Sequence, residues 1–148
     1  MENKILFYKV NDRYGIFSNF CKCGFFIDGK YWPTAEHFFQ AQKFNDEALR
    51  EKLRKLSSPM DAAILGRDRE NPLRDDWDYV KDDIMRIAVM EKFKQNDEAR
   101  DILLATNHLV LVEHTKNDSY WGDGGDGSGK NMLGNILMET RNILRAKG

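Results

Sequence analysis

Apolar and polar residues alternate briefly near the start of the chain, then recur at helical spacing over most of its length. Ile5 to Val10 (ILFYKV) predicts a short strand. Gly24 to Trp32 predicts a hairpin, with GFFI and KYW joined by Asp28-Gly29, because glycine takes positive φ cheaply in a tight turn. Thr34 is suited to cap a first helix over AEHFFQAQKF. A second helix is expected from Asn45 to Leu56. Ser58-Pro59 marks the start of a third, ending near Gly66, with Asp61 close to its positive end. The longest helix is predicted over Tyr79–Gln95, with Val80, Ile84 and Ile87 beginning its apolar face. Asp97 is placed to cap a helix containing Ile102, Leu103 and Leu104. His108 to His114 (HLVLVEH) reads as a strand, and Thr115 to Lys130 as a polar loop. A last helix, Asn131 to Arg145, carries Leu133, Ile136, Leu137, Thr140 and Leu144 on one side.

Helix therefore dominates. The expected class is mainly α, or α+β with a minor β component, in a single domain over 1–148. The alternating βαβ pattern of a Rossmann fold is missing. With 148 residues, 41% of them apolar, the chain is long enough to bury a substantial core. The net charge of −1 gives no basis for a broad nucleic-acid footprint. No apolar run is long enough to span a membrane. Met1-Glu2-Asn3-Lys4 leads into only a short apolar stretch with no cleavage site, so no signal peptide is expected. Cys21 and Cys23 lack a second pair to complete a zinc ribbon, and are expected to be reduced thiols on a strand. These features together predict a cytoplasmic protein. Nothing in the sequence specifies an oligomeric state.

Three segments carry candidate chemistry. The loop Tyr120 to Asn131 holds five glycines between Gly122 and Gly129. That density lowers backbone order without gain, unless backbone approaches something closely. The loop opens onto the N-terminus of the last helix, where free N–H groups favour an anion. A solvated connector is the plainer alternative. Gly124 to Lys130 matches the G-x-x-x-x-G-K core of a phosphate loop. However, Asn131 stands where Ser or Thr would hold magnesium, and no apolar strand immediately precedes it. Calcium spacing is not met from Asp118, Asp123 or Asp126. In the second segment, Glu36, Gln40 and Lys43 share one helix face, with Glu36 in the dipole-stabilised first turn. His37 is not part of H-E-x-x-H and reads as a packed or surface histidine. In the third, Arg67 could fork onto a phosphate and Trp77 could stack on a base, although a buried tryptophan is more often core.

These residue types suit cleavage of a ribosyl–nitrogen bond. Its transition state develops positive charge on the sugar. A carboxylate stabilises that charge or directs a water, and a second acid protonates the departing base. Aromatic rings hold the base, and phosphate needs donors. Glu36, Asp123, Trp77 with Trp121, and the 122–129 loop supply these parts.

Ordered blocks cover nearly the whole chain. Among them are Phe17-Ser18-Asn19-Phe20, Tyr31-Trp32-Pro33-Thr34-Ala35-Glu36-His37, Gln40-Ala41-Gln42-Lys43-Phe44, Gly66-Arg67 and Asp76-Trp77. Later blocks are Leu111-Val112-Glu113, Trp121-Gly122-Asp123-Gly124 and Gly129-Lys130-Asn131. On these blocks the chain resembles the YbiA-like, or NADAR, family. One departure is Ala105-Thr106-Asn107, where many relatives have Thr-Gly. The resemblance implies a mainly helical fold and an N-glycosidase. Its substrate would be a small ribosyl or ADP-ribosyl compound: either a phosphoribosylamino intermediate of riboflavin synthesis or ADP-ribose on guanine, including guanine in nucleic acid. It places the functional acids on Glu36 and Asp123, with their division of labour open. Asn19, Lys43, Arg67, Trp77, Trp121, Gly122, Gly124 and Asn131 are expected to bind substrate. No metal and no cofactor are expected. A module that binds ADP-ribose or NAD without cleaving it is the alternative.

Overall fold

A computed structural model describes residues 3–147. Met1 and Glu2, the start of the stretch read for a leader, lie outside them. The elements run β1 (Lys4–Phe7), β2 (Phe25–Ile27), β3 (Lys30–Trp32), α1 (Ala35–Ala41), α2 (Glu47–Arg54), α3 (Pro59–Gly66), α4 (Trp77–Gln95), α5 (Asp97–Ala105), β4 (Val110–Glu113) and α6 (Met132–Lys147). The expected mainly helical class with a minor β component holds. No helix among these residues is long and apolar enough to cross a membrane.

Local signals set most boundaries. Asp28 and Gly29, at φ 52° and 79°, form the tight turn of the β2–β3 hairpin. Ile27 pairs with Lys30 across it. The Ser58 hydroxyl accepts from the Asp61 N–H at 3.1 Å, and α3 begins with Pro59 in its first turn. Thr34 caps α1 by accepting from the His37 N–H at 3.1 Å. α2 starts later than expected because Asp46, not Asn45, provides its cap, accepting from Leu49 N–H at 3.2 Å. The residue ahead of α5 is Asn96, and Asp97 lies in its first turn.

Every residue of α1 is buried. The helix packs against α2, α3 and α4, so its few residues are stabilised by surroundings rather than by length. His37 is part of that packing. Its Nε2 lies 2.9 Å from the Leu56 carbonyl, which can only accept. The proton therefore sits on Nε2, and Nδ1 accepts from the Thr34 hydroxyl at 2.7 Å. Burial lowers the His37 pKa, with the Leu56 bond opposing it. Thr34→Ala removes both the cap and this contact. It should lower stability by roughly 1–2 kcal/mol, read as a reduced urea midpoint at unchanged slope.

The α6 stripe is as expected: Leu133, Ile136, Leu137, Thr140 and Leu144 are all buried. The α4 face differs. It buries Ile84, Met85, Ala88, Val89, Lys92 and Phe93, while Ile87 is 47% exposed. A lysine sits on the buried face. Lys92 Nζ donates to the Ser18 carbonyl at 2.9 Å inside the protein, and burial pushes its pKa down to about 7.

Two further features are set by tertiary contact. β1 and β4 pair in parallel, with Ile5 opposite Leu111, although more than a hundred residues separate them in sequence. Cys21 and Cys23 lie in the segment before β2, not on a strand. Their side chains meet, with Cα atoms 5.4 Å apart.

Candidate active site

One large cleft, about 1370 Å³, opens where the segments after β1 and before β2 meet α1, the end of α3 and the segment after β4. Glu36 lines it from the first turn of α1 and is buried. Gln40, one turn on, donates from Nε2 to Glu36 Oε2 at 2.7 Å. The Glu36 N–H donates to the Asn19 carbonyl at 3.1 Å. Helix and neighbouring loop therefore position this carboxylate together. Burial raises its pKa, opposed by the Gln40 bond and then by the Arg67 and Lys43 charges. Gly66 lies against Gln40 so closely that a Cβ there would strike the Gln40 amide. That contact limits how the partner of Glu36 can move.

Asn19, Lys43, Arg67 and Trp121, expected to bind substrate, all line this cleft with Glu36. The Asn19 amide donates to Met85 Sδ at 3.5 Å, and its buried Oδ1 has no protein partner. Lys43 is buried and its pKa is lowered to about 8, by desolvation first and then by Arg69, with Glu36 opposing. Lys43 Nζ lies 3.4 Å from the Gly66 carbonyl and 5.8 Å from the Phe39 ring centre. Arg67 is exposed at the end of α3. The two cations flank Glu36 closely enough to stabilise its ionised form.

The other expected residues lie elsewhere. Trp77 is buried in the core and does not line the cleft. Phe39 stands between the two tryptophans, with ring centres 5.1 Å from Trp77 and 5.3 Å from Trp121. The expected tryptophan sandwich is thus a layer of three rings, of which Phe39 and Trp121 reach the cleft. α4 begins at Trp77, ahead of the predicted Tyr79.

Asp123 is also absent from the cleft lining. Its Oδ2 accepts from His114 Nδ1 at 2.8 Å. Its Oδ1 accepts from the N–H groups of Thr115 at 3.0 Å and Gly125 at 2.8 Å. Burial raises its pKa, but these three bonds outweigh that and leave it below the ordinary aspartate value. Asp123 is the internal pin of its own loop. Its N–H donates to the Glu113 carbonyl at 2.9 Å.

Gly122, Gly124 and Asn131 do not line the cleft either. Gly122 serves the loop's packing on itself, and Gly124 supplies a positive φ of 74°. A Cβ on Gly122 would lie 2.9 Å from the carbonyl oxygens of both Glu113 and Asp118. Asn131, at φ 53°, bridges loop and strand. Its Oδ1 accepts from Glu113 N–H at 2.9 Å and its Nδ2 donates to the Leu111 carbonyl at 2.9 Å. Asn131 therefore precedes α6, which starts at Met132.

Sequence reasoning gave no role to a second acid lining the cleft. Glu113 closes β4, its side chain joins the lining, and its buried Oε1 has no protein partner. Burial first, then the charges of Asp118, Glu36 and Asp123, push its pKa up to about 7. The available signal was an acid ending an apolar strand directly before a glycine-rich loop. Asp118 lines the cleft as well, with Oδ1 accepting from the N–H groups of Tyr120 and Trp121, both at 2.9 Å. That turn presents Trp121 to the cleft. Among the described residues, Asn19 Oδ1, Gln40 Oε1 and Glu113 Oε1 are three of the four buried side-chain polar atoms without a protein partner, and all three residues line this cleft. Buried polar groups are ordinarily paired, so this concentration marks a place built to receive a polar ligand.

Comparison with known proteins gives a consistent picture. The profile of the NADAR domain matches residues 6–145. The chain is 57% identical to N-glycosidase YbiA of Escherichia coli, over 97% of this chain and 91% of that protein. It is 45% identical to an N-glycosidase of Nostoc punctiforme, over 95% and 92% of the two chains. It is 42% identical to a riboflavin biosynthesis protein of Vibrio vulnificus, covering 98% of this chain but 40% of that one. The NMR structure of the E. coli protein YbiA superposes with a TM-score of 0.91 at 55% identity, covering 99% of this chain and 88% of that one. The ordered motif blocks, the fold and these matches agree that the chain belongs to the NADAR domain family.

Proposed function

We propose that this protein is a hydrolase of N-glycosyl bonds, acting on a phosphorylated ribosyl compound in which C1′ of ribose is joined to a nitrogenous base. The N-glycosidase names of close, nearly full-length relatives support the reaction class. The observation that carries it onto this cleft is the buried Glu36 carboxylate, flanked by two cations and facing the same space as two aromatic rings. In this reading Glu36 stabilises charge growing at C1′ and takes a proton from the attacking water. Trp121 and Phe39 contact the base, Asn19 Oδ1 accepts from a sugar or base donor, and Lys43 and Arg67 hold phosphate. Asp123, Trp77, Gly122, Gly124 and Asn131 act on substrate through the loop and core they support.

Two substrates remain under this reading: ADP-ribose linked to guanine, and a phosphoribosylamino-pyrimidine. The cleft volume of about 1370 Å³ exceeds the roughly 300–1,000 Å³ of pockets for drug-sized ligands, which favours the larger ADP-ribosyl compound. The name of the Vibrio relative supports the smaller one. The cytoplasm is the proposed compartment.

The test is incubation of the protein with each compound, followed by chromatography for free base. Release from ADP-ribosylated guanosine at a higher kcat/KM than from the pyrimidine is expected. The reverse order would assign the riboflavin-type substrate. Tight ADP-ribose binding with no base released from either would replace hydrolysis by a binding module.

A further inference from the structure

Hydrolysis of a base–ribose bond needs one group that remains a carboxylate and one that arrives with a proton. Burial and the Asp118 charge raise the pKa of both buried acids in the cleft, but only one of them has donors and cations to oppose this. Glu36 accepts from Gln40 and has Lys43 and Arg67 for counter-charges. Glu113 has no cation among the groups that act on it, only the acids Asp118, Glu36 and Asp123. Its Oε1 is enclosed yet pairs with nothing in the protein, while lying at the cleft surface that substrate would cover. Strand pairing, the Asn131 bridge and the Asp123 N–H hold its backbone from three directions. Such an acid is poorly placed to stabilise the fold and well placed to give up a proton.

We infer that Glu113 is the proton donor to the departing base, and that Glu36, the acid with cations beside it, receives the proton of the attacking water. This rests on the N-glycosidase reading above. In the step, the C1′–N bond breaks and its electron pair stays on the base nitrogen, which takes the Glu113 proton. Water oxygen bonds to C1′ and its proton passes to Glu36. Atoms and charge balance, with the reset cycle exchanging the two protons through solvent. Two like carboxylates are assigned different tasks by their neighbours alone.

Other ionisable groups share the cleft. Lys9, Lys43 and Arg67 line it as cations, and Asp118 as an acid. Tyr120 donates to Asp82 and its pKa is pushed up to about 12, chiefly by burial, so it stays protonated over the range that matters. Lys43, lowered to about 8, would affect the alkaline limb of a rate profile. Variants must therefore separate Glu113 from it.

The test has two parts. The first needs no substrate: carboxyl-carbon NMR titration of the wild type, with Glu113→Gln used to assign the signal. A Glu113 midpoint near 7 is expected, and a midpoint in the ordinary glutamate range overturns the proposal on its own. The second is the pH profile of kcat for wild type, Glu113→Gln and Glu113→Asp, on whichever of the two compounds above the wild type cleaves. Glu113→Gln should lose about 10²–10⁴-fold in kcat at pH 7 and lose the pH-dependent limb near 7. Glu113→Asp should keep that limb at reduced rate. A Glu113→Gln profile identical to that of the wild type overturns the assignment. A wild type that cleaves neither compound counts against the proposed activity, and the titration still judges Glu113. Thermal melts guard against misfolding. Because Glu113 binds its proton more tightly folded than unfolded, its contribution to stability is whole below about 4.5 and declines as pH rises through 7. Glu113→Gln should accordingly melt above the wild type at pH 8, with the gap closing by pH 5.

Discussion

Glu36→Gln should lower turnover by about 10²–10⁴-fold, equivalent to roughly 3–5 kcal/mol of barrier, while leaving the fold intact. The substituted amide has nearly the same shape and can still accept from Gln40 through its oxygen, so the bond now measured at 2.7 Å survives. What disappears is the negative charge. In the proposed reaction that charge is used only as C1′ becomes cationic, so kcat should fall more than KM rises. Stability should move the other way. Burial raises the Glu36 pKa above its ordinary value. The folded state therefore resists ionisation, and this group's contribution to stability falls as pH rises above the unfolded value near 4.5. A neutral amide escapes that loss, and the variant's melting temperature should match or exceed that of the wild type at neutral pH. Wild-type kcat in a folded Glu36→Gln protein would remove Glu36 from the mechanism.

Asn131→Ala should be among the most destabilising single changes in the site region, at roughly 3 kcal/mol. Truncation leaves the Glu113 N–H and the Leu111 carbonyl without the side-chain partners they now have at 2.9 Å. Each buried backbone group left unpaired costs about 1–3 kcal/mol. Alanine is also strained at the φ of 53° found there, by roughly 1–2 kcal/mol. For a chain of this length, each kcal/mol shifts the midpoint by about 2–4 °C. Asn131→Gly relieves the strain but not the lost bonds, so it should recover only part of the difference. Because the bridge also holds the strand end carrying Glu113, activity at temperatures well below the melt should fall as well. A melting temperature within about 2 °C of wild type, less than about 1 kcal/mol, would show that the bridge contributes little.

The helices were legible because their signals are local. Thr34 and Ser58 cap where their hydroxyls meet a backbone N–H three residues on, and Asp28-Gly29 turns because its φ values suit that dipeptide. The α6 stripe was readable from spacing alone. The α4 face was not, since hydropathy favours Ile87 for the interior and gives no reason to bury Lys92. Only the Ser18 carbonyl, brought from 74 residues away, supplies a partner for that ammonium. The glycine loop drew attention for a sound reason, close backbone approach. Its neighbour proves to be its own chain, as the crowding around Gly122 demonstrates.

From composition and order alone come the mainly helical class, the caps, the hairpin and the grouping of Glu36, Gln40 and Lys43, all governed by hydrogen bonds and spacings a few residues long. The tertiary structure decided which acids face the cleft. β4 pairs in parallel with β1 and its end is clamped by Asn131, so Glu113 lines the cleft while Asp123 turns back into its loop. No local rule distinguishes two carboxylates ten residues apart. Their environments differ only once distant segments have packed, and burial and neighbouring charge then determine which one keeps its proton.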